Sequence, residues 1–212
     1  MLTIYGRNTS SNVQLVMWAV NELGLDHERL DYGGVHANTR TEEYLAKNPM
    51  GLVPVMEDGP VRMFESAAIL RYLGARYGDG NFWPADPVMR GPMDTWAEWG
   101  KNTFSAAVLK VFLLSVRTAR SKQDPAAIAE AGAAVAPLAT MLNDRLSAME
   151  WVGGDHFSFA DIACGHILHR YHTMEFDRPD LPVLKDYFDR LQTRAAYREN
   201  AMVDYESLRA PD

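Results

Sequence analysis

Gly78, Gly80, Pro84 and Pro87 fall within ten positions of one another, and the hydrophobic pattern changes character across them. Neither residue type sustains a helix or strand interior, so this stretch predicts a linker between two folding units. Upstream, Leu2 to Tyr5 reads as a strand. Val13, Val16, Met17, Val20 and Leu23 then recur at helical spacing. They follow Thr9, Ser10, Ser11 and Asn12, any of which can cap a helix start, and Gly24 closes the run. His27 to Tyr32 reads as a second strand, stopped by Gly33 and Gly34, and a short helical stretch lies around Glu42 to Ala46. Val53 to Met56 and Val61 to Phe64 flank Glu57-Asp58-Gly59-Pro60, a hairpin signal. Ile69, Tyr72, Leu73 and Tyr77 mark a helix beginning just after Glu65-Ser66. The order β-α-β-α-β-β-α makes residues 1–79 an α/β domain. Beyond a linker at 80–88 the strand signals stop. Apolar stripes that include Trp96, Trp99 and Phe104, then Leu138, Met141 and Leu142, then Leu184, Tyr187, Phe188 and Leu191 predict an all-helical domain over 89–212.

The formal net charge is -7, so no overall positive field favours nucleic acid or an anionic membrane as partner. Arg117, Arg120 and Lys122 read as a solvated helix end. The start of the chain lacks the basic and apolar regions of a signal peptide, and no apolar run approaches the ~18 residues of a membrane span. Cys164 is the only cysteine. No intrachain disulfide is possible, which points to a reducing, cytoplasmic setting.

Two segments stand out within that frame. One is Asn48-Pro49-Met50-Gly51-Leu52-Val53-Pro54-Val55; the other is Phe64-Glu65-Ser66-Ala67-Ala68-Ile69. With the element order, the linker and the later Ser158-Phe159-Ala160-Asp161, they closely resemble the cytosolic glutathione transferases over essentially the whole chain. The resemblance implies a thioredoxin-like, glutathione-binding first domain and a helical-bundle second domain. It implies glutathione as co-substrate, a small hydrophobic electrophile as second substrate, and a homodimer. It also implies that Pro54 is cis, that Val53 pairs its backbone with the cysteinyl part of glutathione, and that Glu65 and Ser66 hold the γ-glutamyl end. The opening Arg7-Asn8-Thr9-Ser10-Ser11-Asn12-Val13 looks like that of bacterial members that place serine near the thiol.

The chemistry of these residues is consistent with such roles. A helix start at Ser66 offers free N–H groups and a positive dipole end to a carboxylate, while Glu65 can face an α-ammonium group. Ser66 can equally be an ordinary cap, with Glu65 complementing the dipole. Ser10 is the expected catalytic residue, its hydroxyl donating to a sulfur anion at the N-terminus of the first helix. Ser11, Thr9 and Asn12 are rivals one or two positions away, and the whole cluster can also serve only as a cap. His36, Asn38 and Arg40 are candidates for the glycyl carboxylate. Leu52 stands where many relatives carry a polar residue, so one glutathione contact there is either missing or supplied by the backbone. At least one of Trp96, Trp99, Phe104 and Phe112 is expected to line the hydrophobic pocket.

Ser158 and Asp161 form a capping-box pattern and are expected to act on stability. Cys164 reads as a small core residue. His166, His169 and His172 lie three apart, but further ligands are not evident and no metal is expected. Two other activities remain open. One is reduction of disulfides or peroxides by glutathione; the other is ligand or partner binding without catalysis.

Overall fold

The computed structural model describes all of residues 1–212. In the first domain, β1 (Leu2–Tyr5), α1 (Ser11–Glu22), β2 (His27–Leu30), α2 (Glu42–Leu45), β3 (Val55–Asp58), β4 (Val61–Phe64) and α3 (Ser66–Tyr77) follow the expected order. The sheet runs β2-β1-β3-β4, with β1 parallel to β2 and antiparallel to β3, and β4 antiparallel to β3. Leu2 and Ile4 bury one face of β1 while Thr3 and Tyr5 are half-buried, the alternation of a strand backed by a core on one side. Gly59, at φ +58, supplies the positive φ needed by the two-residue loop joining β3 to β4. Two strands have other bounds than expected. β2 ends at Leu30, although Tyr32 still accepts from the Arg7 amide. β3 begins only at Val55, because Pro54 has no N–H for a ladder.

Glu57 ties this sheet together. It accepts from Tyr5 Oη at 2.7 Å, Lys47 Nζ at 3.0 Å and Arg62 Nε at 2.7 Å. Burial works against ionisation, but the three donors outweigh it and hold the carboxyl down at about 2. The contribution is therefore present above pH ~4.5 and is lost as pH falls toward 2. Chemical unfolding of wild type and Glu57→Gln at about pH 5 and about pH 3 should show the wild type losing ~2 kcal/mol more than the variant over that step. Parallel losses would show that the cluster adds nothing.

The helical domain comprises α4 (Pro87–Trp99), α5 (Ser105–Ser115), α6 (Pro125–Ala148), α7 (Phe159–Gly165), α8 (Leu168–Thr173), α9 (Pro182–Gln192) and α10 (Ala195–Asn200). The connector between domains runs from residue 78 to 86, since α4 begins inside the expected linker. Asp86 accepts from the Val88 amide as N-cap, and Pro87 takes the first helical position, where its missing N–H costs nothing. A π-helical turn, Gly100–Phe104, continues α4 into α5. A Cβ on Gly100 would lie 2.4 Å from Cys164 Sγ, so glycine is what lets this turn touch α7. Cys164 is buried there and donates to the Trp96 carbonyl at 3.3 Å.

One expectation needs correcting: α6 spans 24 residues, and an 18-residue window within it has a mean hydropathy of 1.4, long and apolar enough by composition to cross a membrane. Its alanine-rich run has no single block of large apolar side chains, which is why it reads as unremarkable. Ala131, Val135, Ala139, Leu142 and Leu146 bury one stripe of α6, which packs against α5 and α9.

The domains share one core. Trp18 of α1 is fully buried, meets Tyr197 of α10 edge-on at 4.7 Å and donates to Glu22 at 3.0 Å. Glu22 in turn pairs with Arg194, whose guanidinium lies 3.8 Å from the Phe157 ring centre. This seam fixes the C-terminal half of α1 against the helical domain.

Candidate active site

Residues 7–10 turn from β1 into α1. Ser10 is the N-cap of α1, with an extended backbone, and its carbonyl accepts from the Gln14 amide at 2.8 Å. Its hydroxyl makes no capping bond. That is unusual for a serine at this position, whose oxygen ordinarily satisfies a first-turn amide, and it leaves the hydroxyl available to another partner. Ser10 is 9% exposed and Ser11, already in the helix, 7%. Asn12, half-buried, is bridged through Oδ1 to Ser66 Oγ at 3.4 Å. That contact joins the N-termini of α1 and α3, so two positive dipole ends meet in one place.

Val53 lies beside it. The Val53-Pro54 peptide is cis, and neither the N–H nor the C=O of Val53 makes a hydrogen bond within the chain. The preceding carbonyl is occupied: Leu52 O accepts from Tyr44 Oη and Asn48 Nδ2, each at 2.8 Å. The Leu52 side chain is 56% exposed. Buried Asn48 also accepts from the Met50 amide through Oδ1, so the Asn-Pro-Met-Gly segment is a turn built to present Val53. Gly51, at φ +61, is required there, because a Cβ would come within 2.8 Å of the Thr39 carbonyl and 2.7 Å of Arg40. Arg40 thus lies against this turn and donates to the Met50 carbonyl at 3.3 Å. His36, on an exposed turn, faces Asp31 at 3.7 Å instead. Asn38 is exposed with φ +62.

Glu65, immediately before α3, holds φ +70 with an exposed side chain that makes no cap bond. A non-glycine residue in this region is uncommon and concentrates at ligand clamps. Ser66 is 2% exposed. From the helical domain, Lys101 faces Glu65: burial lowers its ammonium pKa, and Glu65 and Glu98 pull it back up.

Reading residue by residue missed a set of cations. Arg170 of α8 is only 4% exposed and donates from Nη2 to the Thr9 carbonyl at 2.8 Å. Its guanidinium lies 4.2 Å from the Phe112 ring centre. Burial, then the nearby Arg7, bring its pKa down to about 10. Burial and Arg117 likewise lower that of Arg7. Arg117, exposed at the end of α5 as a solvated helix end, is near enough for its charge to act on both. Nothing local marks these positions, because only the packing of α8 and the end of α5 against the turn after β1 assembles them. Of the four aromatics, Phe112 reaches this region. Trp96 instead sits under Arg145 at 5.4 Å, Trp99 stacks on Phe104 at 5.7 Å, and Phe104 is fully buried.

Tyr5 packs edge-on to Tyr32 at 5.3 Å and takes no part. His166 bonds Ala163 and Ser105, and His172 stacks on Phe188 at 4.3 Å. No three His, Cys, Asp or Glu side chains converge in a metal-binding arrangement.

A thioredoxin-like sheet with a free backbone edge at a Val-Pro turn, next to two helix N-termini and roofed by a helical domain, defines a class of thiol-handling two-domain proteins. Family models agree. Residues 4–81 match the glutathione S-transferase N-terminal domain, and residues 125–190 match the C-terminal domain. The chain is 32% identical to glutathione S-transferase GstB of Escherichia coli (strain K12) over 205 residues, covering 96% of this chain and 99% of that protein. It is 31% identical to glutathione S-transferase 3 of Zea mays over 76% of this chain and 73% of that one. Among solved structures, the theta class glutathione S-transferase of Xanthomonas axonopodis pv. citri, with glutathione bound, superposes with a TM-score of 0.91 at 33% identity, over 96% of this chain and 98% of that one. The chain belongs to the cytosolic glutathione transferase superfamily and is an enzyme of that family, a glutathione S-transferase.

Proposed function

We propose that the chain binds glutathione along the Val53 edge and transfers its thiolate sulfur to a small hydrophobic electrophile, with Ser10 donating to the sulfur. The observation that carries the reading is the unpaired Val53 backbone, an N–H and a C=O free to pair with an extended tripeptide as a strand pairs with a sheet edge. Glu65 and Ser66 take the γ-glutamyl end: the α3 N-terminus suits its carboxylate, and the Glu65 carboxylate suits its ammonium group. Arg40, already lying against the Gly51 turn, is the better placed of the loop candidates for the glycyl carboxylate. The α1 dipole and the Ser10 hydroxyl favour thiolate over thiol. The reading includes a homodimer and a cytoplasmic setting.

A hydrogen bond to a charged acceptor contributes ~1.5–3 kcal/mol, so Ser10→Ala should lower kcat/KM for a chlorinated nitroaromatic by about 10- to 100-fold. Because that hydroxyl caps nothing, the unfolding midpoint should barely move. Activity within twofold of wild type would pass the role to Ser11 or Asn12, whose alanine variants then become the decisive comparison.

A further inference from the structure

Arg170 is a buried cation without an anion. At 4% exposure it has one hydrogen bond to the protein, to a neutral carbonyl, and no ion pair. Arg7 is half-buried and likewise makes no ion pair. Its Nε is buried with no partner, and its side chain is pressed against Gly34, where a Cβ would sit 2.9 Å from Arg7 Cδ and Nε. A desolvated guanidinium is costly unless paired, and three unpaired arginines repel one another. Carboxylates elsewhere in this fold are paired with cations wherever they are half-buried, as with Glu57 and Lys47 or Glu22 and Arg194. Here no acidic side chain is supplied.

The place of the cluster gives it meaning. Arg170 grips the carbonyl of Thr9, the residue just before Ser10, and lies over the ring of Phe112. Phe112 meets Tyr205 edge-on at 5.3 Å, so an aromatic floor lies directly under the charge. The uncompensated charge thus sits where α8 meets the turn that carries Ser10. Resting on the reading that Ser10 meets the glutathione sulfur, we propose that the second-substrate pocket recognises a negatively charged group, a carboxylate on an aromatic electrophile, held by Arg7 and Arg170 with Arg117 contributing at longer range. Its carboxylate pairs with the free guanidinium nitrogens in the bidentate manner such groups favour. The reaction balances as an aromatic substitution. The thiol proton passes to water, the sulfur electron pair forms the new C–S bond, and chloride leaves with the C–Cl pair.

The test compares 4-chloro-3-nitrobenzoate with 4-chloro-3-nitrobenzamide, equal in shape and differing in charge. Each kcat/KM is divided by the uncatalysed rate constant with glutathione. Wild type should favour the benzoate by about tenfold or more, the effect of one charge-assisted hydrogen bond. Arg7→Gln should bring the benzoate-to-benzamide ratio down by about tenfold, mostly through KM, and Arg170→Lys should lower it less. A purely structural role for either arginine would reduce both rates and leave the ratio unmoved. Calorimetry with the unreactive 3-nitrobenzoate and 3-nitrobenzamide separates this inference from the conjugation reading. Selective binding of the benzoate, lost in Arg7→Gln, with no turnover of either chloride would support the anion site and overturn conjugation. Turnover of both chlorides at equal enhancement, with equal binding of the two unreactive rings, would overturn the anion site and leave conjugation standing.

Discussion

Replacing Asp161 by alanine should cost on the order of 4 kcal/mol, enough to unfold much of the population of an ordinary domain at growth temperature. Asp161 is fully buried at the start of α7, where every residue of the helix is buried as well. Its Oδ1 accepts from the Val152 amide at 2.8 Å and from Tyr187 Oη at 2.9 Å; its Oδ2 accepts from the Ser158 amide at 2.9 Å and from Ser158 Oγ at 3.2 Å. Alanine would leave two amides, a phenol and the Ser158 hydroxyl without their acceptor in a fully buried site, at ~1–3 kcal/mol each before relaxation. Asp161→Asn keeps the volume and an oxygen for Val152 and Tyr187, but its amide nitrogen then faces the Ser158 N–H, donor against donor. It should recover about half of the loss. Urea midpoints at neutral pH decide the matter, together with turnover per folded molecule, which should not change. A loss below about 1 kcal/mol for the alanine variant would mean that water replaces the carboxylate, and α7 would then not depend on its capping box.

The capping box is also where local sequence is most informative, because both partners lie within three residues and the geometry is that of any helix start. The same holds for the order of elements and for the Val53-Pro54 and Glu65-Ser66 motifs, whose backbone roles depend on the turn around Gly51 and the start of α3. What the sequence does not disclose is set by distant packing. Gly100 in the π-helical turn is needed because Cys164, far along the chain, fills the space a Cβ would take. Arg7, Arg117 and Arg170 are ordinary surface-type residues until α5 and α8 close over the Ser10 turn, and the contact between Arg170 and Thr9 spans almost the whole chain. Tertiary placement likewise separates His36 from Arg40, two residues with equal claims in the linear pattern. One turns to Asp31, while the other lies across Gly51 beside Val53.

The same buried helix should carry two opposed acid slopes that offset each other. His166 closes α7. Its Nδ1–H donates to the Ala163 carbonyl at 3.0 Å, which leaves Nε2 to accept from Ser105 Oγ at 3.3 Å. Burial, then the charges of Lys101 and Arg170, push its pKa down to about 3. The unfolded chain therefore binds an extra proton between about pH 6.5 and pH 3, and stability from His166 is lost as pH falls through that range. Asp161 acts in the opposite sense. Burial outweighs its four donors and raises it to about 6, so the folded state holds the extra proton between about pH 4 and pH 6, and stability is lost as pH rises through 6. Each proton is equivalent to ~1.4 kcal/mol per pH unit. With both groups present the slopes cancel from about pH 6 to pH 4.5. Relative to wild type over that interval, Asp161→Asn should lose ~2 kcal/mol and His166→Asn, whose amide can still reach the Ala163 carbonyl, should gain ~2 kcal/mol. Chemical unfolding of the two variants across this window measures the divergence directly, since Glu57, His169 and His172 titrate alike in both. Parallel curves would show that neither group changes its proton affinity on folding, and the buried end of α7 would then have to be wet.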